Sequence, residues 1–444
     1  MIRSSIARGI LPRRVGGCYG GRCYMVLALE SSCDDACVAL LDKYSKDQAP
    51  KVIDQFKETL NSSGTGGIIP TDAHEFHQFT IANLVAKFCK KHNLNSTSPP
   101  DLICCTRGPG MVGSLSASLQ FAKGLSVSWN KPLIGVHHML GHILIANLPK
   151  SQQPEMDAPK YPFLSLLCSG GHTMLVLLKS LTEHEIIIDT VDIAAGDSID
   201  KCARELGLVG NMLGKELERY VKAIPEDLKK KFENIDTKSR DNDFKFQLSL
   251  PLRSPKHLKI PEKLEFSFAS FLSTIQGYRT KYFNGKDFDE MTKMFIAFKL
   301  QEFVLDHMIN RINIAFIKHG IDIISYTKAD GKFKGVQDFI CSGGVASNQR
   351  LRNKLHNNLN YGSLTKESES ESHILNFHFP DLALCTDNAI MIGVAGIEIF
   401  ENLKVKSDLN ILPIRKWPMD ELLKVDGWVQ LNDEEINKIR NLDL

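Results

Sequence analysis

The first 24 residues contain no aspartate or glutamate, yet they carry Arg3, Arg8, Arg13, Arg14 and Arg22 among serines and scattered apolar residues. An acid-free, arginine-bearing start has the composition of a mitochondrial transit peptide; a basic tail is the alternative. Without those five arginines the chain holds 49 basic against 52 acidic side chains, a net of −3 in place of +2. The body thus lacks the overall basic charge common in nucleic-acid binders, and any such contact must be a local patch. No Cys-x-x-Cys pair occurs among the eleven cysteines, which argues against a disulfide framework and a thiolate zinc site and fits a reducing compartment. No apolar run approaches the roughly 18 residues of a membrane span. What is present is ordinary globular material: 444 residues, 43% hydrophobic and 24% charged, enough for two domains or one bilobal unit.

Two apolar runs, Tyr24 to Leu29 and Ala36 to Leu41, read as buried strands around the polar loop Glu30-Ser31-Ser32-Cys33-Asp34-Asp35. Small hydroxyl residues in a hairpin loop can offer N–H and O–H groups to a phosphate. Asp34 and Asp35 repel one, so they suit a base, the outer shell of a metal, or an ordinary turn. After a proline-rich linker at 149–162 the pattern recurs: strand Phe163 to Cys168, loop Ser169-Gly170-Gly171-His172-Thr173, strand Met174 to Leu178. The repetition predicts an internally duplicated α/β fold with a nucleotide cleft between its halves.

Two further glycine-rich junctions follow strands. Thr106 to Ser114 opens a helix running to about Trp129, where exposed N–H groups suit an anion and close helix packing explains the glycines nearly as well. Ser342 to Asn348 follows Phe339 to Cys341, and Asn348 can bond the edge of a base or a ribose. Between them lies a helix from Ala195 to Gly207, with Asp197 or Ser198 expected as its N-cap. Asp200 falls in its first turn, available to a ribose or to the helix dipole. The lysine-rich stretch 223–262 reads as a surface insertion, and Glu367 to Ser372 as a solvated loop.

The run Val136 to Ala146 reads as a short apolar helix in which His138 and His142 share one face and His137 points elsewhere. Two imidazoles four apart can hold one metal ion, though two ligands do not make a site. His74 and His77 have one residue too few between them for the zinc-protease signature. Asp387, just before the apolar helix Ala389 to Phe400, reads either as that helix's N-cap or as the missing third ligand. A zinc protease also needs a glutamate base beside its first histidine, and Met139, Leu140 and Gly141 offer none.

Taken in order, Glu30–Asp35, Gly66–Pro70, Thr106–Gly113, His138–His142, Ser169–Thr173, Gly196–Lys201, Ser342–Asn348 and Cys385–Asn388 resemble the motifs of the tRNA threonylcarbamoyltransferase (TsaD) family, once called the glycoprotease family. They span roughly residues 25–417, and the arginine-rich start makes the mitochondrial members the best match. The resemblance implies a bilobal actin-like fold of the sugar kinase, Hsp70 and actin type. Residues 25–150 and 163–386 would form its lobes, with insertions near 223–262 and 356–376; 151–162 would link them, 387–420 close the fold, and 421–444 form a tail.

It also implies that His138, His142 and Asp387 hold one divalent metal, zinc or iron, and that Asp34 and Asp35 are the catalytic acidic pair. Leu167, Cys168, Ser169, Gly170, Gly171, Asp200 and Asn348 match adenylate- or substrate-binding positions, joined by Gly214 and Glu218 after a shift in alignment. The implied reaction moves threonylcarbamoyl from threonylcarbamoyl-AMP, made by a separate synthase, to the adenosine 3′ of the anticodon in tRNAs reading codons beginning with A. The implied setting is a homodimer in the mitochondrial matrix, with no membrane contact.

The sequence departs from the family pattern at Leu140, where glutamate is usual, and at Ser270 and Leu272, which replace a glycine and a lysine. A Pro-Gly-Gly turn after Gly207 is absent, and Leu167 stands where some relatives carry a metal-contacting tyrosine, so water or substrate is expected at that coordination position. An ATP-driven kinase or chaperone of the same superfold is the rival reading, since fold does not fix function; histidine ligands to a metal argue against it. A metalloprotease and a non-catalytic scaffold subunit complete the alternatives.

Overall fold

The computed structural model describes residues 24–45, 48–151, 153–252, 263–319, 331–359 and 375–440. The arginine-rich start, apart from Tyr24, and the acidic-serine run lie outside these residues.

The first lobe opens with β1 (Tyr24–Glu30), β2 (Asp35–Lys43) and β3 (Lys51–Thr59), continues through α1 (Pro70–His92), β4 (Leu102–Gly108), α2 (Val112–Trp129) and β5 (Leu133–His137), and ends in the short α3 (His138–Leu144). Near-continuous apolar runs suit strands covered on both faces, and β1, β2 and β4 are indeed buried almost throughout. The strand order is β3-β2-β1-β4-β5, antiparallel across β3, β2 and β1 and parallel across β1, β4 and β5.

The second lobe contains β6 (Phe163–Cys168), β7 (Thr173–Leu178), β8 (His184–Thr190), α4 (Ala195–Glu205), α5 (Leu213–Ala223), α6 (Glu226–Glu233), β9 (Glu265–Phe266), α7 (Ala269–Phe283), α8 (Glu290–His319), β10 (Asp338–Ser342), α9 (Gln349–Leu359) and β11 (Asn376–His378). Its sheet runs β11-β10-β6-β7-β8-β9, again antiparallel across β6, β7 and β8 and parallel across β6, β10 and β11. Apart from β9, this repeats the first sheet strand for strand. The duplicated β-loop-β units thus belong to a duplicated actin-like fold.

The remaining elements, α10 (Ala389–Leu403), β12 (Val405–Ser407), β13 (Trp428–Gln430) and α11 (Asp433–Ile439), return to the first lobe. Helix α10 lies on β1, β2 and β5, and its glycines allow the approach: a Cβ on Gly393 would stand 2.4 Å from Leu41 Cδ1, and one on Gly396 would stand 2.2 Å from Cys104 Sγ. One core, drawing on α3, α10, the first sheet and the β6–β7 hairpin, therefore spans both halves. No helix among the described residues is long and apolar enough to cross a membrane.

Three local expectations change. Helix α4 begins at Ala195 with Ala194 at its N-cap and no capping side chain, so Asp197 and Ser198 lie inside the first turn; Ser198 Oγ instead donates to Phe268 O. The described part of 223–262 is more than a solvated insertion. Phe232 and Phe246 are fully buried in the second core, edge-on to Phe295, and widely spaced apolar anchors among lysines concealed this. The N-cap of α10 is Asn388, whose Oδ1 accepts from Met391 N at 2.9 Å, and Asp387 precedes it.

Candidate active site

Because Asn388 caps α10, the carboxylate of Asp387 is left for other partners. Helix α3 supplies them. His137 ends β5 with Nε2 2.8 Å from Trp417 O and its other ring nitrogen accepting from Leu140 N, which starts the helix and leaves His138 and His142 one turn apart. Between them Gly141 lets α3 lie against α10, since a Cβ there would meet Met391 Cγ at 3.1 Å and Ile392 Cδ1 at 3.2 Å. Nε2 of His142 is 3.0 Å, and Nε2 of His138 3.7 Å, from Asp387 Oδ1.

One donor atom from each of the three residues lies within 4.8 Å of the others. Ligands bonded at about 2.1 Å around a tetrahedral metal lie roughly 3.4 Å apart; the two Asp387 pairs, at 3.0 and 3.7 Å, are near that spacing, and the set suits a zinc-like or iron-like ion once the imidazoles draw together. Behind it, Oε2 of the buried Glu30 stands 3.2 Å and Oγ of Ser32 3.1 Å from His138 Nδ1, which directs the opposite nitrogen toward Asp387. Glu30 also accepts from Thr106 Oγ1 and Ser32 N. The His142 Nδ1 atom is buried without a hydrogen-bond partner among the described residues.

Electrostatics follow from this packing. Burial works against the charged form of His138, but the carboxylates of Glu30 and Asp387 outweigh it and push the imidazole up to about 9. The same charges act reciprocally. Burial opposes ionisation of Glu30 and Asp387, yet the neighbouring histidines hold both below their usual range. His172, at the tip of the β6–β7 hairpin, is lowered to about 4 by burial and then by the nearby His138 and His142. The hairpin tips of the two lobes therefore meet at the triad.

Asp34 and Asp35 sit at the end of the first hairpin loop, which His77 fixes through an Nε2 contact of 2.8 Å to Cys33 O. His74 is likewise bound to backbone, 2.9 Å from Gly113 O, so neither histidine joins the triad that could hold a metal. Burial raises Asp34, with Asp387 adding to it, and burial raises Asp35 to about 6 against the opposing Lys57.

The residues that the sequence suggests for adenylate binding form a closed circuit of contacts with one another. Gly196 N donates to Ser169 O, and a Cβ on Gly196 would stand 2.6 Å from that oxygen. Asp200 Oδ1 accepts from Gly214 N at 2.6 Å, and Glu218 Oε1 from Gln349 N at 3.0 Å, at the starts of α5 and α9. Asn348 caps α9 through Leu351 N, and Gly343 beside it, at φ +96, passes so close to Cys168 that a Cβ would meet its carbonyl oxygen at 2.5 Å. Leu167 and Cys168 bury their side chains in two different cores, leaving Ser169, Gly170 and Gly171 as the accessible part of that stretch. Glu30, Lys57 and His172 were not singled out by sequence reasoning. Glu30 did carry a signal, being a charge closing an otherwise apolar strand.

The family model described as tRNA N6-adenosine threonylcarbamoyltransferase matches residues 51–394. The chain belongs to this family. It is thereby a transferase. The mitochondrial tRNA N6-adenosine threonylcarbamoyltransferase of Schizosaccharomyces pombe is 32% identical over 94% of this chain and 91% of its own. The enzyme so named from the Wolbachia species of Brugia malayi is 27% identical over 89% of this chain and 98% of its own. YeaZ from Pseudomonas aeruginosa aligns at TM-score 0.24 and 14% identity over 37% of this chain and 63% of its own, and the fold assignment stands instead on the strand topology.

Proposed function

We propose that this chain transfers threonylcarbamoyl from threonylcarbamoyl-AMP to N6 of the adenosine 3′ of the anticodon, in tRNAs reading codons beginning with A, in the mitochondrial matrix. A separate synthase supplies the adenylate, and the working form is a homodimer. The observation that carries the reading is the triad His138, His142 and Asp387 with Ser32 of the first lobe's acidic hairpin loop against it and His172 of the second lobe's glycine loop close enough to feel its charges.

In this reading His138, His142 and Asp387 hold one zinc or iron ion, which when bound supplies Lewis-acid polarisation of the carbamoyl oxygen. Ser169, Gly170 and Gly171 present backbone to the adenylate, with Asp200, Gly214, Glu218 and Asn348 shaping the rest of its pocket through the helix starts they join. Leu167 and Cys168 contribute by packing the strand beneath. One of Asp34 and Asp35 accepts a proton from N6 as that nitrogen bonds the carbamoyl carbon; the bond from carbon to the phosphate oxygen breaks, and AMP leaves with the electron pair. Glu30 faces the rear nitrogen of His138 rather than the cleft, which suits an orienting group better than the base of a zinc protease.

The test supplies purified protein with threonine, bicarbonate, ATP, the synthase and unmodified tRNA, followed by nucleoside analysis. Threonylcarbamoyladenosine formed by chain plus synthase supports the transferase; a digest with none overturns it.

A further inference from the structure

We propose that Lys57 is a positioning residue for this transfer, tying Asp35 to the Asp387 loop and so leaving Asp34 as the carboxylate that takes the proton. The proposal rests on the functional reading above.

Lys57 lies on β3, the edge strand of the first sheet, where a lysine ordinarily extends into solvent and discourages pairing with other chains. Here the residue stays exposed, but its ammonium group folds back over the sheet edge onto Asp35 and the Asp387 loop. The register sets Lys57 opposite Cys37 and Thr59 opposite Asp35, two residues apart on one face. Nζ of Lys57 donates to Asp35 Oδ2 at 2.5 Å and to the Asp387 carbonyl oxygen at 2.9 Å, with Thr386 Oγ1 at 3.5 Å. Thr59 Oγ1 donates to the other Asp35 oxygen at 2.5 Å.

Both oxygens of Asp35 are therefore engaged, one by a cation that stabilises its charged form. With both oxygens already occupied by donors of this chain, Asp35 is held as an anchor and has no oxygen left free to turn to the attacking amine. Asp34, one residue earlier in the loop and partly exposed, makes no ion pair among the described residues. The same ammonium group holds the backbone of the residue whose carboxylate faces His142. Chemically, N6 bonds the carbamoyl carbon, its proton passes to Asp34, and the carbon–oxygen bond to the adenylate breaks with the electron pair on AMP.

The experiment measures kcat and KM for tRNA, with threonylcarbamoyl-AMP supplied by the synthase, in the full chain and in Lys57→Met, Lys57→Arg, Asp35→Asn, Asp34→Asn and Lys57→Met/Asp35→Asn. Thermal midpoints are recorded alongside, and Lys57→Gln replaces Lys57→Met if that variant is unstable. Lys57→Met is expected to lower kcat about tenfold with KM within about twofold, and Lys57→Arg to recover much of the loss. In the Asp35→Asn background Lys57→Met should change kcat by less than about twofold, because the two act as one unit. Asp34→Asn should cost on the order of a hundredfold, more than Asp35→Asn. Wild-type kcat in Lys57→Met, or a loss that multiplies fully onto Asp35→Asn, overturns the positioning role, and an Asp35→Asn slower than Asp34→Asn overturns the choice of base. If the unaltered chain forms no threonylcarbamoyladenosine, the functional reading has failed and this proposal falls with it; a fault confined to the variants counts against this proposal alone.

Discussion

At the scale of single residues, the triad shows how one side chain is freed by another. Asp387 and Asn388 are adjacent and both suit an N-cap; Asn388 caps α10 and is itself anchored to the carbonyls of Leu384 and Thr386, so Asp387 can face His142. Asp387→Ala is expected to lose bound metal and to cut transfer on the order of a hundredfold or more, with metal content read by elemental analysis of the purified protein. Retention of both would remove Asp387 from the ligand set. Glu30→Gln keeps the shape but removes the charge behind His138, and metal affinity should fall roughly ten- to a hundredfold in a chelator competition. An unchanged affinity would show that Ser32 alone orients the ring. The histidine pair was legible because four-residue spacing on a helix is local; Glu30 and Lys57 were not, because their partners lie 108 and 330 residues away.

At the scale of elements, small residues decide which helices approach. Gly141 and Gly396 mark where α3 meets α10 and where α10 meets β4. The Cβ added by Gly396→Ala would fall 2.2 Å from Cys104 Sγ, so the substitution should destabilise the fold by about 1–3 kcal/mol in urea unfolding. Cys104→Ala removes that sulfur, and the double variant should be more stable than the sum of the two single losses predicts. Simple additivity would mean that α10 shifts as a body. The strands and glycine loops could be read from apolar runs and punctuation. The short β12 and β13, and the burial of Phe232 and Phe246, could not, since two or three apolar residues in a polar stretch acquire meaning only from what they contact.

At the scale of the whole molecule, the buried neutral histidines set an acid limit. Burial lowers His137 and His307 each to about 3, whereas both would titrate near 6.5 when unfolded. The unfolded chain then binds protons that the native state refuses, so their stabilising contribution is complete above pH ~6.5 and declines as pH falls toward 3. Unfolding free energy measured between pH 7 and 5 should drop, with each such histidine adding a slope of up to about 1.4 kcal/mol per pH unit. His307→Gln should show a shallower slope, and a slope equal to that of the unaltered chain would refute the assignment.

What the sequence determined by itself was everything carried by local spacing. It held the two hairpins, the glycine junctions and the histidine helix, and their order matched the family to which the chain belongs. Tertiary structure alone decided how these pieces meet. A duplicated sheet sets two hairpin tips around one triad, and helix α10, from the far end of the chain, packs on the first sheet and carries Asp387 to His142 across 245 residues. The physical reason is that local pattern fixes which elements form, while burial of their apolar faces against one another fixes which polar groups converge.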